Sequence, residues 1–281
     1  MRSISGVRTN MGSPDQKNTI GGAPIVVKPP TNSPTNTRLD LCLEITGSFE
    51  GSGYGQVTGN FDGMGISCGI LQWNYGQGSL QAKVLAPYIQ AYGSIHPLID
   101  PTATMSSVDA LKYAKEHLLM GGEVKAEVKA ILKSFLTSDN CVKIQKLAAM
   151  NLYDRSISLM KMYEFDSDRA AVWFFDTLTL NGSMKATVRM NPDRAKAKLE
   201  LLNHPTQGLD STSMIKNRAM WPGIIDQASD ESVSLFRMAL HRALQSRQEF
   251  IPVVATRRGT ISLGKGFVYN SMREFNFEAK R

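Results

Sequence analysis

Helical periodicity dominates the chain from residue 39 onward, and this feature limits the fold more than any other. The segments with apolar residues at three- and four-residue spacing, or with helix-capping signals, are 39–50, 79–91, 106–120, 123–136, 140–163, 166–182, 191–203 and 229–250. Strand-like patterns are confined to the glycine-rich stretch 57–73 and to 260–270. The sequence therefore predicts a mainly α protein of the α+β class, with a small β-hairpin element.

The first 38 residues differ from the rest in composition. They are rich in Gly, Pro, Ser, Thr and Asn, and only the short apolar run 25–27 could pair as a strand. We predict a flexible tail or linker at 1–38 and one folded domain at 39–281. No segment is apolar enough to span a membrane, and the N-terminus lacks an apolar stretch of signal-peptide length. We therefore expect a protein made in the cytoplasm without a cleavable signal.

Charge and cysteine content restrict the partners. The chain holds 32 Lys and Arg against 25 Asp and Glu, a net charge of +7, which favours anionic partners such as bacterial cell-wall polymers. No zinc-finger spacing, RNA-binding aromatic motif or dense Lys/Arg tract occurs, so nucleic acid is not predicted as a partner. The four His are scattered and the three Cys lack CxxC spacing, so neither a metal site nor a cofactor is expected. Buried free thiols are favoured, with a Cys42–Cys68 pair left open.

Two glutamates near the end of the first helical segment compete for a catalytic role. Glycoside hydrolysis needs a carboxyl group that stays protonated, and partial burial against apolar surface favours the protonated form. On a helix over 39–50, Glu50 falls at the flank of the apolar arc, in the last turn before Gly51. Glu44 falls on the opposite face beside Asp40, where it should be solvated. Helical phase therefore selects Glu50 as the acid.

The glycine-rich stretch after this helix supplies a second carboxylate and several aromatic rings. Asp62 lies in "FDGMGIS", whose glycines permit a tight hairpin that can approach a sugar closely, although Asp-Gly is also a common turn signal. Tyr54, Trp73 and Tyr75 lie in or beside the same stretch. Their rings could stack on sugars, and Trp73 could equally pack inward.

The segments "FEGSG", "DGMGIS" and "SCGILQWN" resemble motifs of the lysozyme-like superfamily, which includes goose-type lysozymes, lytic transglycosylases, phage lysozymes and chitosanases. The resemblance covers about residues 39–80. It implies a lysozyme-like helical catalytic domain with a small β-hairpin lobe beside a cleft. The implied site roles are Glu50 as general acid, Asp62 as second carboxylate, Ser67 as a water-positioning hydroxyl, and Gln72 and Asn74 as the floor of the cleft. The stacking argument adds Tyr54 and Trp73 as candidate substrate contacts.

A second, weaker likeness lies in "AAVWFFDTLTLNGS", which resembles a cleft-wall helix of peptidoglycan-active relatives. It implies that Asp176, Asn181 and Trp173 lie near substrate. Plain core packing is the stronger expectation for Trp173 and the two phenylalanines that follow it.

The resemblance implies a glycosidase that cleaves the glycan strands of peptidoglycan, either a muramidase or a lytic transglycosylase. Delivery by a phage lysis system or by a bacterial secretion apparatus is expected, and an antibacterial toxin of the second kind would need an immunity protein. A chitosanase and a non-enzymatic polysaccharide-binding module stay open as alternatives.

The Glu50–Asp62 spacing is shorter than in chitosanases and longer than in phage lysozymes, and Ser67 replaces the usual Thr. The role of Asp62, and the choice between inverting hydrolysis and transglycosylation, are therefore left open.

Overall fold

The computed structural model describes residues 25–27, 38–51, 53–184 and 187–277. Within these residues the chain divides into two compact units. We call 46–151 the hairpin unit, and we call 38–45 together with 152–277 the helical unit. The tail predicted at 1–38 lies outside the described residues, apart from Arg38 and the backbone of 25–27.

Helices make up most of both units. They are α1 (Arg38–Glu50), α2 (Ala86–Tyr92), α3 (Ser107–Tyr113), α4 (Ala126–Thr137), α5 (Asp139–Met162), α6 (Asp168–Asn181), α7 (Arg194–Asn203), α8 (Ser211–Gln227), α9 (Asp230–Leu244) and α10 (Ile251–Leu263). Shorter helical turns are Gly53–Gly55, Gln81–Leu85, Asp100–Thr104, Ala114–Leu118 and Gln248–Phe250. Among the described residues, no helix is both long enough and apolar enough to cross a membrane.

The strands form three small sheets. They are β1 (Ile25–Val27), β2 (Val57–Thr58), β3 (Ser67–Cys68), β4 (Trp73–Asn74), β5 (Leu119–Met120), β6 (Glu123–Val124), β7 (Lys265–Val268) and β8 (Ser271–Phe275). In the hairpin unit, β2, β3 and β4 pair antiparallel in that order, and β5 pairs with β6. In the helical unit, β8 pairs antiparallel with β7 and parallel with β1.

Local signals in the sequence explain where several helices begin and end. The Ser106 hydroxyl accepts a hydrogen bond from Asp109 N and donates one to the Asp109 carboxylate, which is the predicted capping pair of α3. Ser167 and Ser229 cap α6 and α9 in the same way. Gly182, at φ +69°, ends α6 in the left-handed conformation that glycine adopts freely.

Helix α10 is the centre of the helical unit. All 13 of its residues are buried, and it packs against α6, α8, α9 and β7. Two glycines permit the closest of these contacts: a Cβ atom on Gly259 would lie 2.5 Å from the Trp221 ring, and one on Gly266 would lie 3.0 Å from it. The indole of Trp221 donates a hydrogen bond to Lys265 O (2.9 Å). The backbone of α10 and β7 therefore lies directly against a large aromatic side chain of α8.

The prediction of a mainly α chain with a small β element is confirmed, and most of the predicted helices form. The sequence does not indicate α8 or α10. Helix α10 is buried on every side and so carries no apolar stripe, while α8 contains Pro222 and Gly223, which are poor helix formers. The predicted helix at 123–136 begins only at Ala126, because Glu123 and Val124 pair as β6. The predicted strand pair at 260–270 forms at 265–275 instead.

The three thiols are unpaired and buried, so the Cys42–Cys68 bridge that the sequence leaves open does not form. Burial raises the pKa of each thiol, to about 12 for Cys141. We expect no thiol to react with an aromatic disulfide reagent in the native protein, and three to react after unfolding, because the reactive thiolate is neither formed nor exposed. One reactive thiol after unfolding without reductant would instead indicate a disulfide.

The approach of Gly259 to Trp221 predicts an unusual pair of glycine substitutions. Gly259→Ala should lower the free energy of unfolding by about 1–3 kcal/mol, because the new methyl group overlaps the ring, even though alanine favours helix. Gly223→Ala is the matched control, since no atom lies within 4 Å of the added Cβ. We expect it to raise stability by up to about 1 kcal/mol. Urea denaturation of both variants checks this, and equal effects would contradict the packing.

Candidate active site

The end of α1 is held closely on two sides. Glu50 is its last residue, partly exposed, and it is followed by Gly51 at φ +141°. A Cβ atom on Gly51 would lie 2.5 Å from Cδ of Gln56, and a Cβ on Gly47 would lie 2.6 Å from Cγ1 of Ile70. Neither position tolerates a side chain without displacement of its neighbour. The backbone at the end of α1 therefore has one close side-chain contact before Glu50 in the chain, at Gly47, and one after it, at Gly51.

The sheet β2–β3–β4 presents one polar and one apolar face. Thr58 pairs with Ser67, and Ser67 pairs with Asn74, so these three side chains form one row across the sheet. The neighbouring row is the apolar set Val57, Cys68 and Trp73, which is buried. Alternation along two-residue strands thus places these hydroxyl and amide groups on the face opposite the apolar row, although Ser67 and Asn74 are buried as well.

Gln72 closes the loop between β3 and β4 and is nearly buried. Its backbone is left-handed (φ +52°), which is uncommon for a residue other than glycine. Its side-chain Oε1 accepts a hydrogen bond from the Thr58 hydroxyl (2.8 Å), and its Nε2 donates one to Gly69 O (2.9 Å). Both polar atoms of the amide therefore already have hydrogen-bond partners within the protein. The role of Gln72 as a substrate contact stays a prediction.

Asp62 lies in the turn between β2 and β3. Its Oδ1 accepts a hydrogen bond from Met64 N (3.0 Å), and the neighbouring Asn60 Oδ1 accepts one from Gly65 N (2.7 Å). Asp62 Oδ2 is buried and has no hydrogen-bond partner among the described residues. Asp62 and Gly63 therefore form the turn that an Asp-Gly pair predicts. One oxygen of the Asp62 carboxylate has no hydrogen-bond partner among the described residues. A role as second carboxylate stays a prediction.

Ser67 and Asn74 lie deeper than the sequence suggests. Both are buried, and the Ser67 hydroxyl and Asn74 Nδ2 have no hydrogen-bond partner in the described part of the chain. Asn74 Oδ1 accepts a hydrogen bond from Gln77 N (2.9 Å), and Asn74 N donates one to the Ser79 hydroxyl (2.9 Å). Asn74 therefore organises the turn after β4, and direct contact of either residue with substrate would require neighbouring atoms to move.

The aromatic candidates divide by exposure. Trp73 packs inward and lies against Gly69, where a Cβ would be 3.1 Å from its ring. Tyr75 is fully buried, with its hydroxyl hydrogen-bonded to that of Thr102 (3.0 Å). Tyr54, in the turn Gly53–Gly55, is partly exposed. Of the three, only Tyr54 presents a ring surface that a sugar could reach without rearrangement.

Glu44 requires a correction. The helical phase predicts a solvated residue, but Glu44 is half-buried. Burial, with a further contribution from the charge of Asp40, raises the pKa of its carboxyl group. Glu44 belongs to the helical unit, whereas Glu50 belongs to the hairpin unit together with Asp62 and Ser67.

The residues predicted on the cleft-wall helix lie in the helical unit and are structural in character. Asp176 is fully buried, and its Oδ1 accepts hydrogen bonds from Arg257 Nε and Nη2, each at 2.7 Å. Asn181 accepts a hydrogen bond from Arg258 Nη2, and Arg258 Nε donates to the Thr177 hydroxyl (2.8 Å). Trp173 is fully buried, as core packing requires. This burial argues against direct contact of Asp176 or Trp173 with a polymer.

Three residues at the site escape prediction from sequence. Gln56 covers Gly51, Thr58 holds the amide of Gln72, and Gln145 of α5 accepts a hydrogen bond from Ile70 N (3.0 Å). The only local signal is the alternation of Thr58 with Val57. Nothing in the local sequence distinguishes Gln145 from other residues of a long helix, because its partner Ile70 lies 75 positions away.

Charge is balanced in the hairpin unit. Residues 46–151 contain eight Lys, no Arg, and eight Asp and Glu, so the net charge of +7 is carried by the rest of the chain. No group of three or more His, Cys, Asp or Glu within the described residues could hold a metal ion. The unit that carries Glu50 and Asp62 therefore has no net preference for anionic or cationic polymers.

Comparison with known proteins identifies the fold. No protein-family model and no curated protein matches the chain. A chitosanase from a complex structure is similar at 18% identity and a TM-score of 0.50, over 84% of this chain and 96% of that chain. The native chitosanase of Bacillus subtilis MY002 (14%, TM-score 0.47, 86% and 99%) and a mutant of it complexed with 6 GlcN (14%, 0.43, 80% and 88%) are also similar. The first of these likenesses shows that the chain shares the mainly α fold of that chitosanase, which is the lysozyme-like fold that the sequence resemblance implies.

The burial of Asp176 predicts its main effect on stability. Asp176→Ala should lower the free energy of unfolding by about 3–5 kcal/mol, because it removes the carboxylate that is ion-paired with the buried Arg257 guanidinium. Asp166→Ala is the control, since the Asp166 side chain is 86% exposed beside Arg38. It should change stability by less than about 1 kcal/mol. Chemical denaturation measures both, and a stable Asp176→Ala protein with weakened polysaccharide binding would favour the substrate-contact interpretation instead.

Proposed function

We propose that the chain is a glycoside hydrolase that cleaves an amino-sugar glycan, with Glu50 as the general acid. The observation that carries this proposal is the position of Glu50. It ends a helix between Gly47 and Gly51, beside a glycine-rich three-stranded sheet, in a lysozyme-like fold. A fold of this kind hosts more than one chemistry, so the site must carry the argument.

In the proposed reaction Glu50 gives its proton to the glycosidic oxygen as the bond to the leaving sugar breaks. The positive charge that develops on the remaining sugar is then captured by a nucleophile. In hydrolysis this is a water molecule, and we assign the acceptance of its proton to Asp62, whose buried Oδ2 would be reached only after neighbouring atoms move. In a transglycosylase a hydroxyl group of the same sugar attacks instead and returns a proton to the Glu50 carboxylate, which gives an anhydro product without a second carboxylate.

Peptidoglycan is the substrate that we propose first. The support is the sequence resemblance of 39–80 to peptidoglycan-active enzymes and the net charge of +7, which favours the anionic bacterial wall. The protein would then reach the wall by phage lysis or through a secretion apparatus. An immunity protein is proposed only for the second route.

Chitosan is the second candidate, and two observations favour it. The solved structure that is similar at a TM-score of 0.50 is a chitosanase. The hairpin unit is also electrically neutral, so the charge argument against a cationic polymer does not hold at the candidate acid.

Glu50→Gln tests the proposal. The amide cannot donate the required proton, so the initial rate should fall by at least about 100-fold on the polymer that the wild type cleaves. Turbidity of a peptidoglycan suspension and release of reducing ends from chitosan measure the two activities in parallel. Mass spectrometry of the fragments separates reducing-end from anhydro products.

Glu44→Gln is the matched control, because it makes the same change on the same helix. It should keep the activity within about twofold of wild type. Asp62→Asn distinguishes the mechanisms, since a hydrolase that uses Asp62 loses its rate and a one-glutamate transglycosylase does not. A wild type that leaves both polymers intact, or a Glu50→Gln protein that is fully active, would contradict the proposed function.

A further inference from the structure

Gln72 occupies a backbone position where glycine would be the ordinary choice. The loop between β3 and β4 is closed by a hydrogen bond from Gln72 N to Gly69 O (3.1 Å), and Gln72 itself is left-handed at φ +52°. A side chain in this conformation costs free energy that glycine does not pay. Because the strain is retained, the side chain at this position must contribute something that compensates for it.

The side chain of Gln72 joins two parts of the sheet. Its Oε1 accepts from the Thr58 hydroxyl on β2 (2.8 Å), and its Nε2 donates to Gly69 O within the loop (2.9 Å). Only 9% of Gln72 is exposed. A glutamine is long enough to reach both partners at once, whereas asparagine at the same place is one methylene shorter. The amide therefore fixes the loop relative to β2.

The loop fixed by Gln72 lies against the helix end that carries Glu50. Ile70 contacts Gly47 so closely that a Cβ there would be 2.6 Å from Ile70 Cγ1. Gly69 N donates to Gln56 O (2.9 Å), and the side chain of Gln56 covers Gly51. The same loop thus determines the contacts on both sides of Glu50, at Gly47 directly and at Gly51 through Gln56.

Hydrogen bonds through Gln145 also hold the β3–β4 loop to α5. Ile70 N donates to Gln145 Oε1 (3.0 Å), and Gln145 Nε2 donates to Leu136 O (2.9 Å). Both bonds are buried, where an unpaired amide would be costly. The loop cannot shift easily toward α5, so a change at Gln72 should be transmitted toward α1.

We propose that Gln72 is a positioning residue for Glu50, acting through the β3–β4 loop and its contacts at Gly47 and Gly51. This inference rests on the proposed role of Glu50 as the acid and goes beyond it. It differs from the role that the sequence resemblance implies for Gln72, which is direct contact with substrate. A positioning residue alters the rate of the chemical step, whereas a substrate contact alters mainly the affinity.

Two single variants test the proposal from opposite ends of one hydrogen bond. Gln72→Gly keeps the left-handed turn and removes the amide, while Thr58→Val removes the hydroxyl that holds it. On the polymer that the wild type cleaves, each should lower kcat by about 10- to 100-fold with KM within about twofold, because a small misplacement of a catalytic group is costly. The double variant should be no slower than the worse single, since both break the same link.

Hydrogen exchange provides a readout that does not depend on activity. In both variants the amides of residues 47–51 should exchange at least about tenfold faster than in wild type, while those of α10 keep their wild-type rates. Gln90→Ala and Thr104→Val are the matched controls, because both residues are exposed and lie in the same unit. They should change neither the exchange rates nor kcat.

The outcomes separate the alternatives. Two results together would overturn the proposal and indicate that Gln72 contacts substrate. They are a raised KM with unchanged kcat in Gln72→Gly, and wild-type kcat and KM in Thr58→Val. Unchanged exchange at 47–51 in both variants would also overturn it. If the wild type cleaves neither polymer, the proposed function fails, and the exchange rates at 47–51 still decide whether Gln72 positions the end of α1.

Discussion

The contact of Ile70 with Gly47 determines how the hairpin unit presents its glutamate. A helix with any side chain at position 47 would be displaced from the β3–β4 loop, because the added Cβ would overlap Ile70 Cγ1. The loop has little freedom to retreat, since its backbone is bonded to Gln145 and Gln56. Close packing of this kind transmits small displacements rather than absorbing them. The position of Glu50 is therefore a property of the sheet and loop as much as of its own helix.

The helical unit depends on a different interaction, the buried pairing of α6 with α10. Asp176 is ion-paired with Arg257, and Arg258 is held by the Thr177 hydroxyl and by Asn181. Burial lowers the pKa of Arg258 to about 9, and the charge of Asp176 opposes that shift. Buried charges of this type are costly to form but very costly to break singly. They fix how α10 lies against α6, which apolar contacts alone would specify less strictly.

The sequence predicts the parts of this structure that are written in local patterns. Capping by Ser106 and the end of α6 at Gly182 follow from residues a few positions apart. Helix α10 carries no such pattern. All of its faces are buried, so its sequence does not alternate between an apolar and a polar face. The candidate acid could be selected because helical phase separates Glu50 from Glu44, although Glu44 is more buried than phase implies.

The contacts that decide the roles at the site are long-range, and for that reason they cannot be read from motifs. Asp176 and Arg257 are 81 positions apart, so the sequence of 170–183 does not show that the Asp176 carboxylate is paired. Without that partner, the segment resembles a helix that faces substrate. The amide of Gln72 matches a motif that implies substrate contact, yet its two partners are Thr58 and Gly69. Motif resemblance supplies candidate site residues, and the hydrogen bonds show which of their polar atoms already have partners within the protein.

Charge places the remaining constraint on the substrate. The excess of basic residues lies outside 46–151, and electrostatic attraction between exposed groups decays over about 8 Å at physiological salt. In the proposed function, the basic residues outside this unit favour encounter with an anionic wall, and salt screens that attraction. In the same proposal, the choice of sugar would depend on shape and hydrogen bonds in the hairpin unit, where the Tyr54 side chain is partly exposed and the buried Asp62 Oδ2 has no hydrogen-bond partner among the described residues. In the proposed function, encounter with the wall and selection of the scissile bond are separate requirements, and the net charge of the chain bears directly on the first alone.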